Sequence, residues 1–250
     1  MRRAIRLELR KMRRLRTVPI LAVMVCAVIA LGSISLFTDS ARENADDPGA
    51  APWAVLLLNY TMMAAMTSPI LTAVLASRQT DIEHTGIGWT LASTAGFTPG
   101  MLCRAKLAAL SLILGPAVVV QSLVLIGIGR VVGIQVPLDP GPWMGYTTLL
   151  LLVDVAFLAL HIWLAAVVEN QLISVGVGML GAFLAVFTLL MPGAVSRVIP
   201  WGYYALISSV GQQGREIVAI SPPYAWVAGF LLLVGGLFAV ATHHLDRIER

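Results

Sequence analysis

Charge is scarce in this chain. Asp, Glu, Lys and Arg make up 12% of its 250 residues, about half the roughly 25% of a soluble domain. Hydrophobic residues make up 58% and the mean hydropathy is +0.85, which excludes intrinsic disorder and argues against a soluble globule. Lysine occurs only at positions 11 and 106, and neither follows a glycine. The phosphate loop G-x-x-x-x-G-K-S/T is therefore missing, and with it P-loop ATPase chemistry. Cysteine is reduced to Cys26 and Cys103, which rules out a disulfide scaffold and leaves no metal cluster to read. Neither H-E-x-x-H nor G-x-S-x-G occurs, Asp46-Asp47-Pro48 is not a DDxxD diphosphate motif, and His243-His244 with Asp246 lacks metal-ligand spacing. No catalytic constellation is visible, so the chain reads as a non-enzyme without a metal or cofactor of its own.

What is present is long apolar runs. About twenty apolar residues cross a hydrocarbon core of roughly 30 Å. Six such runs lie near Val18–Phe37, Trp53–Ser77, Met101–Ile128, Trp143–Val168, Leu172–Met191 and Tyr224–Thr242. The expected fold is all-α, a polytopic membrane protein of six transmembrane helices spread over residues 17–250, with kinks at Pro69 and Pro116. The first run behind a basic head also fits a secretory signal peptide. It is longer than an ordinary signal core of about 7–15 residues, and no small-x-small cleavage site follows near Leu36–Asp39, which favours a span.

The basic residues orient the bundle. Placing the amino terminus in the cytoplasm puts thirteen inside: Arg2, Arg3, Arg6, Arg10, Lys11, Arg13, Arg14, Arg16, Arg78, Arg104, Lys106, Arg247 and Arg250. Four fall outside: Arg42, Arg130, Arg197 and Arg215. That asymmetry follows the positive-inside rule, with both termini cytoplasmic. The net charge of +4 thus describes orientation; with no aromatic interleaving or folded module beside it, nucleic-acid binding is excluded.

Residues 1–16 read as a basic amphipathic helix on the inner surface, because Ile5, Leu9 and Met12 recur at i, i+4 and i+7. Anionic lipid is its expected neighbour, and a lipid anchor and a protein-docking element are both compatible with it. The inner segment Arg78–Lys106 has charge at both ends and a weakly helical middle, where Ile82 and Trp89 fall on one face and Gly86 and Gly88 break regularity. It fits an ordinary loop with an interfacial Trp89, or a short helix held parallel to the membrane for a cytosolic partner. Thr98-Pro99 reads as an N-cap and first helical residue, with Arg104 and Lys106 reaching back to the interface. The outer segment Pro192–Pro223 carries an apolar, aromatic stretch, Val198–Val210, too short to cross. A re-entrant or interfacial helix is expected there, with Trp201, Tyr203 and Tyr204 as interfacial belt aromatics or a ligand gate.

Two ionisable residues fall inside the fourth run. Asp154 sits near its middle and His161 seven residues on; two helical turns separate them by about 10 Å, too far for a hydrogen bond. Either they line a polar translocation cleft, or each bonds a neighbouring helix through groups such as Asn59, Thr67 or Gln121. Small residues at four-residue spacing (Ala64, Ser68, Thr72 and Ala76; Ser174, Gly178 and Ala182) predict close helix packing.

Six spans, the basic head, the Arg78…Glu83…Trp89…Lys106 inner segment, the short inner turn Glu169-Asn170-Gln171 and Ile199-Pro200-Trp201 before the last span together resemble ABC-type-2 exporter permeases, in particular the small bacterial permeases of lantibiotic immunity and bacitracin resistance. The resemblance covers nearly the whole chain. It implies a permease of the bacterial cytoplasmic membrane that pairs with a second copy or a sister permease and docks cytosolic ATP-binding-cassette subunits, which bind ATP and Mg. The segment around Asp81–Leu91 would be the coupling helix, with Arg78, Asp81, Glu83, Trp89, Arg104 and Lys106 at the contact and the head helix beside it. The implied substrate is an amphipathic peptide antibiotic, drug or lipid-like compound. A gradient-driven carrier and a non-transport membrane scaffold or enzyme are the alternatives; the internal repeats and broken helices of many carriers are not evident.

Overall fold

A computed structural model describes residues 1–214 and 216–248; Arg215 and Arg250, counted above for orientation, lie outside the described residues. Among the described residues six helices are long and apolar enough to cross a membrane. The chain is an all-α, multi-pass membrane protein. The head is α1 (Arg2–Arg14), followed by α2 (Thr17–Ser33), which a 3-10 turn extends to Phe37. The outer loop carries the short α3 (Asp39–Glu43). Next come α4 (Pro52–His84), the short α5 (Gly88–Thr94), α6 (Pro99–Val132), α7 (Pro140–Val167) and α8 (Gln171–Thr188). An outer segment with α9 (Gly193–Val198), α10 (Tyr203–Leu206) and the strands β1 (Val210–Gln213) and β2 (Glu216–Ala219) leads to α11 (Tyr224–Ile248).

Local chemistry sets the helix starts. The Thr98 hydroxyl accepts from the Met101 amide with Pro99 in the first turn, Asp139 accepts from Gly141 ahead of α7, and Asn170 accepts from Leu172 ahead of α8. The helices overrun the apolar runs that announced them: α4 continues from Ser77 to His84, and α6 from Ile128 to Val132. Their polar ends carry helical hydrogen bonds but no hydropathy signal. Both helices also run on across Pro69 and Pro116.

The centre of the bundle is α4, packed chiefly on α8, α7 and α2. Both small-residue stripes are buried, Ala64, Ser68, Thr72 and Ala76 on α4 and Ser174, Gly178 and Ala182 on α8. A Cβ on Gly178 would overlap the Ala73 Cβ and the Pro69 carbonyl, so glycine sets how closely the helices approach.

The outer segment departs from expectation. Instead of one re-entrant helix over Val198–Val210 it holds a 3-10 turn at Pro200–Gly202, the one-turn α10, and an antiparallel hairpin pairing Val210 with Ala219 and Gln213 with Glu216. Nor are its aromatics an interfacial belt. Trp201 and Tyr204 stack on Phe157 of α7 at 5.6 and 5.2 Å, Tyr203 stacks on Phe230 of α11 at 4.1 Å, and Tyr203 and Tyr204 are buried. Folding these rings onto the bundle buries large apolar faces that an interfacial position leaves half wet.

The close α4–α8 contact is testable. Gly178→Leu should overpack it and cost about 1–3 kcal/mol, read as a lower unfolding temperature in detergent. Gly176→Ala, whose added methyl meets nothing within 4 Å, should not.

Candidate functional site

The head helix and the last described turns of α11 lie at one end of the bundle, where α1 meets α6 and Asp246 of α11 meets Arg104 of α6. At that end α1 turns Ala4, Glu8 and Met12 inward, a four-residue period that places one carboxylate in the middle of a docked face. Glu8 and Lys106 are fully buried and Glu83 is 4% exposed. The Lys106 ammonium uses its three donors on Glu8 Oε2 at 2.9 Å, Glu83 Oε1 at 2.7 Å and the Gln79 carbonyl at 2.9 Å. Lys11 bonds Glu8 Oε1 at 2.8 Å and also reaches Glu83. The Gln79 amide closes the cluster by donating to Glu8 Oε2 at 2.9 Å. Two carboxylates and two ammonium groups sum to zero charge, the condition under which buried ions are tolerated.

Burial works against the Lys11 charge, but the Glu8 and then the Glu83 carboxylates outweigh it and hold the ammonium above the ordinary lysine value of 10.5. The contribution of Lys11 to docking α1 is therefore fully present below that ordinary value and is lost as pH climbs through the raised one.

Lys106 thus does not reach back to the interface as the sequence suggested, because α1 covers it and supplies a carboxylate. Glu83 likewise faces inward. Arg104 does lie near the surface, bonded to Asp246 at 2.8 Å and Thr242 at 3.1 Å, where it ties α6 to α11. Arg78 is exposed and donates to the Leu15 carbonyl at 3.1 Å, fixing the link between α1 and α2.

The inner segment divides differently from the expected single coupling helix. Asp81 and Glu83 belong to the last turn of α4, and a 3-10 turn over Thr85–Ile87 separates them from α5. Ile82 and Trp89 therefore sit on different helices. Ile87 takes the left-handed conformation at φ 60°, and a Cβ on Gly88 would overlap Glu83 Cα, so glycine is required where the chain doubles back. Trp89 packs edge-on against His84 at 5.7 Å and donates to its Nδ1 at 3.4 Å, while His84 Nε2 contacts the Ala165 carbonyl at 2.8 Å. The two bonds fit the tautomer with the proton on Nε2, which pins α5 to α4 and α7. What the 3-10 turn and α5 leave outward is Ile87, 74% exposed, and Leu91, 71% exposed. Neither stood out as a contact residue in the sequence; the signal was a pair of apolar residues four apart, one on either side of Gly88.

In the membrane interior, Asp154 accepts from the Tyr204 hydroxyl at 2.9 Å and from Ser68 at 3.5 Å. His161 Nδ1 lies 3.2 Å from Ser174 Oγ. Both residues are buried and neither lines an open cleft in this conformation; each bonds another part of the bundle. The partners differ from those anticipated. Asn59 bonds Ser35, Thr67 its own helix at the Met63 carbonyl, and Gln121 the hydroxyl of Tyr60. Tyr204 was hidden from a helix-by-helix reading because it lies 50 residues from Asp154 in a non-spanning segment. Among the described residues no group of three or more His, Cys, Asp and Glu is placed to hold a metal ion.

The ionic cluster makes a quantitative prediction. Lys106→Met leaves two buried carboxylates with Lys11 alone and should destabilise the protein by about 3–5 kcal/mol. Adding Glu8→Gln should recover part of that loss, both read by thermal unfolding in detergent.

Residues 4–185 match the model of a family described as ABC-2 family transporter protein. No curated protein matches the chain.

Proposed function

The chain belongs to the ABC-2 family of transporter proteins and is the permease subunit of an ATP-binding-cassette transporter; from that premise we propose that it is an exporter, moving an amphipathic peptide antibiotic, drug or lipid-like compound out of a bacterial cytoplasmic membrane. The end carrying the head helix faces the cytoplasm, in line with the basic asymmetry of the sequence. A separate subunit binds ATP and Mg and hydrolyses the nucleotide, this chain having no phosphate loop.

The observation that carries this reading is the apolar cap made by Ile87 and Leu91. Two large apolar side chains held out at the polar end of the bundle lack a reason in the folded chain alone, whereas a groove in a cytosolic ATPase gives them one. The cap is also mechanically connected. Trp89 and His84 lock α5 to the end of α4, and the Glu8–Lys106–Glu83 cluster locks that end to α1 and α6. A displacement of the cap by closing ATPase subunits travels along α4 toward its close contact with α8. There Ser68 joins Asp154 and Tyr204, so the same helix reaches the outer segment. A second permease, identical or sister, completes the pathway. Of the six residues the resemblance places at the contact, Asp81 ends α4, Arg78 ties that helix to Leu15 and Arg104 ties α6 to α11, whereas Glu83, Lys106 and Trp89 act from within by holding the cap in place.

Co-expression with the cognate ATP-binding-cassette subunit and affinity purification test the reading. The pair should co-purify, and Leu91→Asp should weaken association by roughly tenfold or more, while Ser40→Asp at the opposite end should not. Export from vesicles should require ATP and that subunit. Transport that persists without the subunit and stops with a proton uncoupler would make the chain a gradient-driven carrier; neither activity would leave a membrane scaffold.

A further inference from the structure

A groove of about 580 Å³ runs along the membrane-facing side of α11, walled by α7 and by the outer segment. Phe157 and Leu160 form one wall, Tyr203 and Pro200 close the outer end, and Trp226 and Leu237 mark its extent on α11. Among the lining residues Arg197 is the one charged side chain.

Three features fix what fits there. From Trp226 to Leu237 the groove follows α11 for twelve residues, about 16 Å, roughly half of a hydrocarbon core of about 30 Å. It is as deep as a single leaflet. Its charge sits at the mouth: the Arg197 guanidinium lies over the Trp226 ring, 5.4 Å from the centroid, and Trp226 is in the first turn of α11, the level of the membrane interface. A guanidinium whose neighbour is a π-face rather than a carboxylate has no charge partner there and keeps N–H donors for a planar or phosphate anion. Finally, the floor is continuous and aromatic: Tyr203 stacks on Phe230 at 4.1 Å and Phe230 packs on Phe157.

We infer that the groove is a lipid site, taking one acyl chain of an anionic phospholipid from the leaflet away from the head helix, with the lipid phosphate on Arg197. A helix from a second copy would require a face continuing across both leaflets and has no use for a cation at the mouth. A chain one leaflet long with a negative head matches both. The site is independent of the direction of transport.

Two substitutions separate head from chain. Arg197 is exposed, so Arg197→Gln removes the head contact, and with it the cation contact to Trp226, while leaving the ring stack beneath in place. Gly229 lines the groove, and a Cβ there meets nothing within 4 Å, so Gly229→Leu fills the groove and improves helix propensity rather than straining the helix. The purified protein in detergent, offered equal phosphatidylglycerol and phosphatidylcholine of the same chain length, is read by native mass spectrometry. The wild type should retain phosphatidylglycerol over phosphatidylcholine by about fivefold. Arg197→Gln should bring that ratio close to one with lipid still bound, and Gly229→Leu should lose both lipids while keeping the wild-type unfolding temperature. An unchanged ratio in Arg197→Gln, or unchanged lipid retention in Gly229→Leu, overturns the site. A protein dimer that Gly229→Leu dissolves also overturns it, assigning the groove to a second copy.

Discussion

Four charges at one end of the bundle, three of them buried and Lys11 half-buried, decide how the rest is held. Glu8, Lys11, Glu83 and Lys106 come from the head helix, the end of α4 and the start of α6, and every ion pair among them joins a lysine to a glutamate. A buried ion without its partner costs several kcal/mol, so the set is nearly all-or-none. That condition makes α1 part of the bundle rather than a helix floating on lipid. It also divides the basic residues of the head by type. The arginines Arg2, Arg3, Arg6, Arg10, Arg13 and Arg14 point outward and are exposed, while Lys11 turns toward the carboxylates. A compact ammonium with three rotatable donors suits a crowded cluster, and planar guanidinium groups suit lipid phosphates. The scarcity of lysine acquires a structural meaning here, since both lysines of the chain are spent in this one cluster.

From the cluster the order propagates along α4. The helix is anchored at one end by ions, in the middle by the small-residue contact with α8 and the hydrogen bond from Ser68 to Asp154, and at the other end by Trp53, whose indole donates to the Val136 carbonyl at 2.8 Å and lies under Arg130. Polar groups at bilayer depth are handled by pairing across helices rather than by water: Tyr60 with Gln121, Ser122 with Thr147, His161 with Ser174. Each such pair fixes a rotational setting of one helix against another, which apolar packing alone leaves loose.

Much of this was legible. The six spans follow from hydropathy, the start of α6 from Thr98-Pro99, and close packing of α4 and of α8 from a stripe of small residues on each, because each rests on residues close together in sequence; that these two helices pack on each other did not follow. The ionic cluster was not legible, since Glu8 and Lys106 lie 98 residues apart and a charge near a span end reads equally well as a residue reaching water. The stripe Ile5, Leu9 and Met12 announced an amphipathic helix and left lipid and protein both open as its neighbour; that the buried face centres on Ala4, Glu8 and Met12 carried no signal, because a carboxylate does not mark an apolar side. Asp154 was recognisable as costly and its true partner was not, because Tyr204 sits in the outer segment, where aromatic residues ordinarily signal the interface. The hairpin over 210–219 escaped for a related reason: four-residue strands in a membrane protein offer too short an alternation to distinguish from a loop.

The two ends of the molecule are joined by unlike forces, and that difference localises where it can yield. Ion pairs and charge-assisted hydrogen bonds at the inner end are short-ranged and geometrically strict, so the inner ends of α1, α4 and α6 move together or lose several kcal/mol. At the outer end the contacts are stacked rings, Phe157 with Trp201 and Tyr204, and Tyr203 with Phe230. Such rings slide past one another at far lower cost than a buried charge parts from its partner. The helix bound least by either force is α11: in its most apolar stretch 22% of residues are buried, against 56% in the spans of α4 and α7. It is tied to α6 through Asp246 and to the rings through Phe230, with the lipid-facing groove between those points. A push delivered through α4 therefore meets a rigid inner frame and a compliant outer one, and α11 with the outer segment is where a change of shape costs the bundle least.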